Sequence, residues 1–422
     1  MKVLTALSLI VALSLSLAPP AGVLAAAGTG DAGVSVSIDG RFLSFDVPPL
    51  INEGRVLVPF RGIAEALGIQ VHWNETTRTV EAAQADVRVL LPVGGETARI
   101  SGQIVPLDVP ARIIGGRTLV PLRFFSEAFG ATVAWDPATR RVSVGSPLRQ
   151  MEIHGFYALG SAAASSWTEL FGAAYPGTGT GRTASLSDLH LGWFSHDAEG
   201  NLLTRSTTGW QRPSGWETVL QTARDAGLTT HMVVHATDLD GRITALSENP
   251  AARARFAAQV AAEAVHYDGV NLNLEGMGLS QTGDALLVVR QDMTALVREV
   301  RRALPADKSL ALSLHAPNSS YQGYDYRALG TIADRIIIMA YDYGPRPEPN
   351  TLVTGAIRQA LADVPADRLV LGISAPSETP DSWGTKLSLA KADNLAGVAL
   401  WRLGIIGAER WEVLDRSVRP RS

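Results

Sequence analysis

One stretch, residues 267–275 with the sequence Tyr-Asp-Gly-Val-Asn-Leu-Asn-Leu-Glu, constrains the fold more than any other part of the chain. Side chains alternate between the two faces of a β-strand. One face of this strand is therefore apolar and consists of Val270, Leu272 and Leu274. The other face is polar and consists of Asn271, Asn273 and Glu275. A polar stripe is costly to bury unless its groups are hydrogen-bonded, so such a strand indicates a site.

Strand and helix patterns alternate over residues 150–415, which indicates a parallel sheet. Strands are predicted at 152–158, 188–195, 231–235, 267–275, 310–315, 335–341, 369–374 and 397–403. Helices are predicted at 216–226, 250–266 and 284–303. Eight strands with interleaved helices predict an α/β fold, the (β/α)8 TIM barrel, whose catalytic groups lie at the C-terminal ends of the strands. Glu275 ends its strand and is the predicted catalytic carboxylate.

Residues 34–145 contain an internal repeat with a constant offset of 62 residues (117 − 55). Arg-Val-Leu-Val-Pro-Phe-Arg, starting at Arg55, returns as Arg-Thr-Leu-Val-Pro-Leu-Arg, starting at Arg117. Trp73 returns in the same way as Trp135. Each unit reads as two strands, a helix and a hairpin, so the two sequence repeats predict one N-terminal α+β domain.

The N-terminus, residues 1–27, has the pattern of a secretory signal peptide: Lys2, an apolar run and then small residues. An uncleaved membrane anchor is the alternative interpretation. No later stretch is predicted to span a bilayer, so the mature chain is expected to be secreted or associated with the cell wall, without stable membrane insertion. The chain contains no cysteine, and its net charge of −4 does not favour nucleic acid as a partner.

The barrel region resembles glycoside hydrolase family 18, which contains chitinases, endo-N-acetylglucosaminidases and spore-cortex peptidoglycan lytic enzymes. Asp268, Gly269 and Glu275 match its signature Asp-Gly-x-x-x-Asp-x-Glu. The run Met-Ala-Tyr-Asp at 339–342 matches its strand six, and the run from Gly397 to Trp401 matches its last strand. The motifs of the fourth and eighth strands are most similar in sequence to those of the spore-cortex lytic branch. The resemblance implies a secreted glycosidase that acts on N-acetylglucosamine-containing polysaccharide, peptidoglycan or chitin.

The resemblance also implies a role for each matching residue. Catalysis in this family is assisted by the acetamide of the substrate, and the expected catalytic residues are Glu275, Asn273 and Tyr341. The expected substrate-binding residues are Asp342, Trp401, Phe156, Tyr157 and Asn271. Glu275 is expected to be the general acid and base, with a pKa raised by partial burial.

Asn273 departs from the family, which has Asp at this position. It can orient an acetamide but carries no charge, so a slow enzyme is expected. Two alternatives stay open: a catalytically silent carbohydrate-binding protein on the same barrel, and an ordinary retaining glycosidase with a second acid such as Asp342 as nucleophile. Carboxylates ~5–5.5 Å apart would favour the latter.

The repeat domain resembles the copper amine oxidase N-terminal-like domain of exported bacterial proteins, through the motif Val-Pro-x-Arg followed by Gly and Trp. A role in cell-wall attachment and a role as an inert spacer are both consistent with this resemblance. No copper site is predicted, because His72 is the only histidine of the region. Histidines 190, 196, 231 and 235 with Asp238 and Asp240 have no metal-ligand spacing, so neither a metal nor a cofactor is expected.

Overall fold

The structure is a computed structural model, and it describes residues 33–158, 165–205 and 211–421. The predicted signal peptide lies outside the described residues. The N-terminal domain has thirteen strands and two short helices in this range. Its elements are β1 (Ser35–Ile38), β2 (Arg41–Phe42), β3 (Leu50–Asn52), β4 (Arg55–Pro59), α1 (Phe60–Ala66), β5 (Gln70–Asn74), β6 (Thr79–Gln84), β7 (Val87–Pro92), β8 (Thr97–Ile100), β9 (Gln103–Pro106), β10 (Arg112–Ile114), β11 (Arg117–Pro121), α2 (Leu122–Ala128), β12 (Thr132–Asp136) and β13 (Arg141–Gly145).

The two sequence repeats meet at the antiparallel pair formed by β4 and β11. Val58 lies opposite Val120, its counterpart at the offset of 62, so the pairing is symmetric about this point. Most buried apolar residues of both repeats form one core, and Leu57, Val109 and Leu119 form a second, small cluster. The prediction of an N-terminal domain made of two repeats is therefore confirmed, and this domain is richer in strands than in helices.

The second domain alternates strands and helices. Its strands are β14 (Arg149–Tyr157), β15 (Asp188–His196), β16 (Leu202–Leu203), β17 (Thr229–Thr237), β18 (Gly269–Glu275), β19 (Ser309–His315), β20 (Arg335–Met339), β21 (Leu369–Ser374), β22 (Gly397–Trp401) and β23 (Val418–Pro420). Its helices are α3 (Ser166–Phe171), α4 (Trp216–Asp225), α5 (Arg242–Glu248), α6 (Pro250–Ala264), α7 (Gly283–Ala303), α8 (Tyr326–Gly330), α9 (Asn350–Leu361), α10 (Pro380–Ala392) and α11 (Ala408–Ser417).

Eight parallel strands close a barrel in the order β14, β15, β17, β18, β19, β20, β21, β22 and back to β14. The TIM-barrel prediction is confirmed. Apolar residues on the outward strand faces pack against the helices in one core, whereas the inward faces carry polar residues together with a small apolar cluster. Local signals begin the helices: the side chain of Asn249 caps α6, whose first residue is Pro250.

The domains contact each other through α10. Lys391 donates to the hydroxyl of Ser146 and lies 3.9 Å from Asp39, which also accepts a hydrogen bond from the backbone of Ser146 at 2.9 Å. The Arg149 guanidinium donates to the carbonyl of Lys391 at 2.6 Å. Lys391 and Asp39 are largely buried at this contact, which ties the first turn of the repeat domain to the barrel.

Candidate active site

Glu275 lies at the C-terminal end of β18, at the mouth of the barrel. Strand register places Thr237 beside Glu275 and His235 beside Asn273. The Nε2 atom of His235 is 3.3 Å from Oε1 of Glu275. The side chain of Glu275 is 25% exposed and that of His235 is 11% exposed, so this pair is held in the barrel wall and still reaches solvent. An acid in this position is accessible to a ligand in the mouth.

The pKa of Glu275 is lowered, and the prediction of a raised pKa is wrong for the unliganded site. Burial of the carboxyl pushes its pKa upwards, as expected. The hydrogen bond and the charge of His235 oppose burial, together with the charge of His315 and a hydrogen bond from Asn273. These partners favour the carboxylate and outweigh the desolvation. His315 in turn has a lowered pKa, because its own burial exceeds the attraction of Glu275.

Asn273 is nearly fully buried and lies one inward position below Glu275 on β18. Its side chain hydrogen-bonds to Glu275. Its Oδ1 atom has no hydrogen-bond partner among the described residues. A buried acceptor without a partner is costly, so this oxygen is a candidate acceptor for a ligand N–H group.

Tyr341 and Asp342 follow β20 in the segment that the sequence assigned to strand six. The strand ends at Met339, two residues earlier than predicted, because the backbone N–H of Ala340 turns back to the carbonyl of Ile338 at 2.9 Å. Beyond this turn, the buried Glu348 carboxylate accepts hydrogen bonds from the backbone N–H groups of Asp342 (2.9 Å) and Tyr343 (3.2 Å). Burial and the nearby charges of Glu275 and Asp342 raise the pKa of Tyr341 well above its usual value. The phenol is therefore a hydrogen-bond donor at neutral pH and lies in the electrostatic field of Glu275.

Asp342 is exposed and has a backbone φ of 63°, in the left-handed region that non-glycine residues rarely adopt. Its pKa is raised, first by desolvation and then by the charges of Glu348 and Glu275. Its side chain therefore belongs to the same acidic rim as Glu275.

Trp401 ends β22 and covers an apolar cluster inside the barrel. Its ring lies 5.3 Å from that of Phe156, centroid to centroid. The cluster beneath it consists of Phe156, Val233, Ile337, Val370, Ala396 and Ala399. Phe156 is buried and so supports the Trp401 ring from below. Tyr157, the next residue of β14, points to the outer face and packs against Trp193. The structure therefore does not bring Tyr157 together with the other predicted site residues.

Asn271 is fully buried inside the barrel, two inward positions below Glu275. Its Nδ2 atom donates to Oγ of Ser313 at 3.0 Å and lies 2.9 Å from Nδ1 of His190. The Ser313 hydroxyl donates back to its Oδ1 at 3.1 Å. Every polar group of Asn271 is thus used within the protein, and the residue supports β18 beneath the site.

Two residues that shift the pKa values of the site carboxyls are not among the predicted site residues. They are His235, which acts on Glu275, and Glu348, which acts on Asp342. His235 was considered only as a possible metal ligand. The alternation of β17, which turns 231, 233 and 235 inwards, was the available signal for it. Glu348 lies in a loop without a strand pattern, so no local signal indicated its contact with the backbone of Asp342 and Tyr343.

The histidines and aspartates considered as metal ligands are not gathered in one place. Within the part of the chain that the structure describes, no group of three or more His, Asp or Glu side chains has a metal-binding arrangement. Asp238 instead accepts hydrogen bonds from the backbone of Ile243 and Thr244 at the start of α5. His190 stacks on His231 with ring centroids 4.6 Å apart, deeper in the barrel than Glu275.

Comparison with known proteins identifies the two parts of the chain. Residues 205–376 match the model of glycosyl hydrolases family 18, and residues 37–144 match that of the copper amine oxidase N-terminal domain. The chain therefore carries a glycosyl hydrolase family 18 barrel behind a copper amine oxidase N-terminal domain.

Solved structures share the barrel fold. The spore cortex-lytic enzyme SleL of Bacillus cereus aligns with a TM-score of 0.52 and 14% identity, over 65% of this chain and 76% of its own. A chitinase of Chromobacterium violaceum aligns with a TM-score of 0.51 and 17% identity, over 63% of this chain and 98% of its own. Among curated proteins, a protease inhibitor of Brevibacillus choshinensis is 30% identical over 102 residues, which are 24% of this chain and 31% of that protein. The chain thus spans less than a third of that relative.

Proposed function

We propose that this protein is a glycosidase that hydrolyses N-acetylglucosaminide linkages of peptidoglycan or chitin by substrate-assisted, retaining catalysis. One observation carries the proposal: Glu275, an acid at the barrel mouth, lies one inward position beyond Asn273 on β18, and Oδ1 of Asn273 has no hydrogen-bond partner among the described residues. A carboxyl that can protonate a leaving oxygen and an acceptor that can hold an acetamide N–H are the two groups this reaction needs.

Each site residue has a defined task in the proposed reaction. The indole of Trp401 provides an apolar floor for the pyranose ring. Oδ1 of Asn273 accepts the acetamide N–H, and the hydroxyl of Tyr341 donates to the acetamide oxygen. The reacting sugar is thereby held with its carbonyl oxygen directed at its own anomeric carbon, which replaces a bimolecular encounter by a positioned intramolecular attack.

The proton and bond changes then balance in two steps. Glu275 gives its proton to the glycosidic oxygen while the acetamide oxygen bonds to the anomeric carbon, which releases the leaving sugar as an alcohol and forms a positively charged oxazolinium. Glu275, now a carboxylate, takes a proton from water as that water attacks the anomeric carbon and breaks the bond to the acetamide oxygen. Two displacements at one carbon retain its configuration, and Glu275 ends protonated.

Charge determines the expected speed of this reaction. Asn273 leaves the oxazolinium without the second carboxylate that the family supplies, an electrostatic loss of a few kcal/mol when a preorganised group is missing. His235 adds a second restriction, because it lowers the pKa of Glu275 and so reduces the fraction that holds a transferable proton. A bound sugar would displace water from the mouth and raise this pKa again. We therefore expect a slow enzyme whose rate has its optimum at acidic pH.

We further propose that the chain is exported and acts at the cell wall. The motivating pattern is the N-terminal run of Lys2, apolar residues and small residues at 25–27. No helix among the described residues is both long and apolar enough to cross a membrane. N-terminal sequencing of the extracellular protein checks the proposal, which predicts a mature chain beginning near residue 28. A chain beginning at Met1 in the membrane fraction would contradict it.

The activity is tested by incubating the purified protein with peptidoglycan and, separately, with chitin, followed by mass analysis of soluble products. The proposal predicts products that end in a free reducing N-acetylglucosamine, released from at least one polymer. The open mouth favours large substrates, because β21 and β22 are joined by residues 375–396, which hold α10 and no inserted domain. Retention of the protein on a polymer without any soluble product would contradict the enzyme hypothesis and indicate a catalytically silent carbohydrate-binding protein.

A further inference from the structure

The N-terminal domain contains two surface grooves that are lined by equivalent residues of the two repeats. Their volumes are about 680 and 810 Å³. Each is lined by residues of both repeats, and thirteen of the fifteen lining residues of one correspond to lining residues of the other at the offset of 62. The symmetric pairing of Val58 with Val120 explains this duplication, because it relates the two repeats by an approximate twofold axis. We call them groove 1 and groove 2.

Groove 1 combines an aromatic wall with two ion pairs. Trp135, which is 38% exposed, forms the aromatic wall. Arg55 of the first repeat reaches Asp108 of the second at 2.6 Å, and Arg123 on α2 reaches Glu127 one turn later at 3.3 Å. All four charged side chains are about half exposed or more.

Groove 2 repeats this arrangement with the roles of the two repeats exchanged. Trp73 takes the place of Trp135 (135 − 62 = 73). Arg117 of the second repeat pairs with Asp46 of the first, which mirrors the Arg55–Asp108 pair. Arg61 and Glu65 on α1 take the places of Arg123 and Glu127, and both are exposed.

The grooves are suited to a ligand that is amphipathic and carries both signs of charge. Ion pairs between exposed side chains are weak, because water solvates both partners and salt screens them, so a ligand can exchange with them at little cost. Groove 1 is lined by two arginines and two acidic residues, and groove 2 by three of each, which disfavours a purely anionic or purely cationic ligand. The indole beside them offers a flat apolar surface. It is 38% exposed in Trp135 and half-buried in Trp73, whose N–H donates to Glu75.

We propose that grooves 1 and 2 bind peptidoglycan, with Trp73 and Trp135 against a sugar ring and the arginine and glutamate pairs on the ionised groups of the adjoining stem peptide. This inference rests on the proposed function for its choice of polymer. A cross-linked polymer presents strands to both sides of the domain at once. Two equivalent sites on one rigid domain therefore raise its retention well above that of either site alone.

The test is sedimentation of the full-length Glu275→Gln protein with purified peptidoglycan, so that cleavage does not release it. Trp73→Ala and Trp135→Ala should each weaken retention about 10- to 100-fold, because one intact groove no longer provides avidity, and the double variant should weaken it by about a further tenfold. Retention should also fall as salt is raised, because the ion pairs are exposed. Ile104→Ala is the matched control, since Ile104 is a 63% exposed apolar residue of the same domain outside both grooves.

A second double variant, Arg61→Gln with Arg123→Gln, guards against misfolding, because both arginines are exposed and contribute little to a core. It should lose retention as the tryptophan double variant does. Full retention by either folded double variant overturns the proposal, as does equal, salt-independent retention on chitin, which lacks the ionised groups. Activity of the parent protein on soluble oligomers is read separately, so failure of the grooves and failure of the barrel enzyme are distinguishable.

Discussion

An ion pair near the N-terminal ends of the barrel strands provides a quantitative test of the structure. Glu152 on β14 receives a hydrogen bond from Nε of Arg335 at 2.7 Å and a second from Nη2, and His154 lies 3.3 Å away. Burial alone would raise the pKa of Glu152, but Arg335 and His154 outweigh it and lower the pKa from 4.5 to about 2. The difference of about 2.5 units corresponds to about 3 kcal/mol at 1.36 kcal/mol per unit.

The sign of the pH dependence follows from the lowered pKa. The stabilisation is fully present above pH 4.5 and is lost as the pH falls towards 2. Glu152→Gln removes the charge and keeps the shape, so we expect the barrel to lose about 3 kcal/mol in the free energy of unfolding at pH 7 and about 1 kcal/mol at pH 3.

Urea unfolding of parent and variant, followed by circular dichroism at both pH values, measures this difference. Glu412→Gln makes the same chemical change at an exposed position on α11 and should change the free energy of unfolding by less than about 0.5 kcal/mol. A Glu152→Gln variant as stable as the parent at pH 7, or a difference that does not shrink at pH 3, would refute the assigned pairing.

Two further predictions concern the proton of Glu275. His235→Gln removes the strongest of the interactions that lower the pKa of Glu275, so the basic limb of the pH–rate profile should move to higher pH; an unchanged limb would show that His235 does not set it. Asn273→Asp adds a like charge, which should raise both the pKa of Glu275 and the rate on an N-acetylglucosamine oligomer, by roughly tenfold or more. A folded Asn273→Asp variant that is slower than the parent would mean that Asn273 is adapted to a task of its own.

The barrel was predictable because its strands are short and regular. The outward residues of β18, β19 and β20 are nearly all Leu, Ile or Val, and the long amphipathic α7 separates β18 from β19. Strand ends were less predictable. β20 ends at a backbone turn between Ile338 and Ala340, and the segment after it is held by Glu348, which reaches back to the backbone of Asp342 from six residues further along the chain. A contact of this kind leaves no periodic pattern in the sequence.

The site was predictable along one strand and not across strands. The spacing of Asn273 and Glu275 places both on the inward face whatever the neighbours are. The pKa of Glu275 depends on His235, which reaches it only because β17 pairs in parallel with β18 in one particular register. Alternation along β14 does separate Phe156 from Tyr157, so the outward position of Tyr157 follows from the strand pattern alone.

The central claim is that Glu275 transfers the proton in glycoside hydrolysis, and the rate of reducing-end release from peptidoglycan tests it most directly. Parent and Glu275→Gln proteins are compared at the pH optimum of the parent, with binding to the polymer measured in the same samples. The account predicts a loss of roughly 10²- to 10⁴-fold in rate with binding unchanged, because Gln keeps the shape but has no transferable proton. An equal rate in a folded Glu275→Gln variant would contradict it.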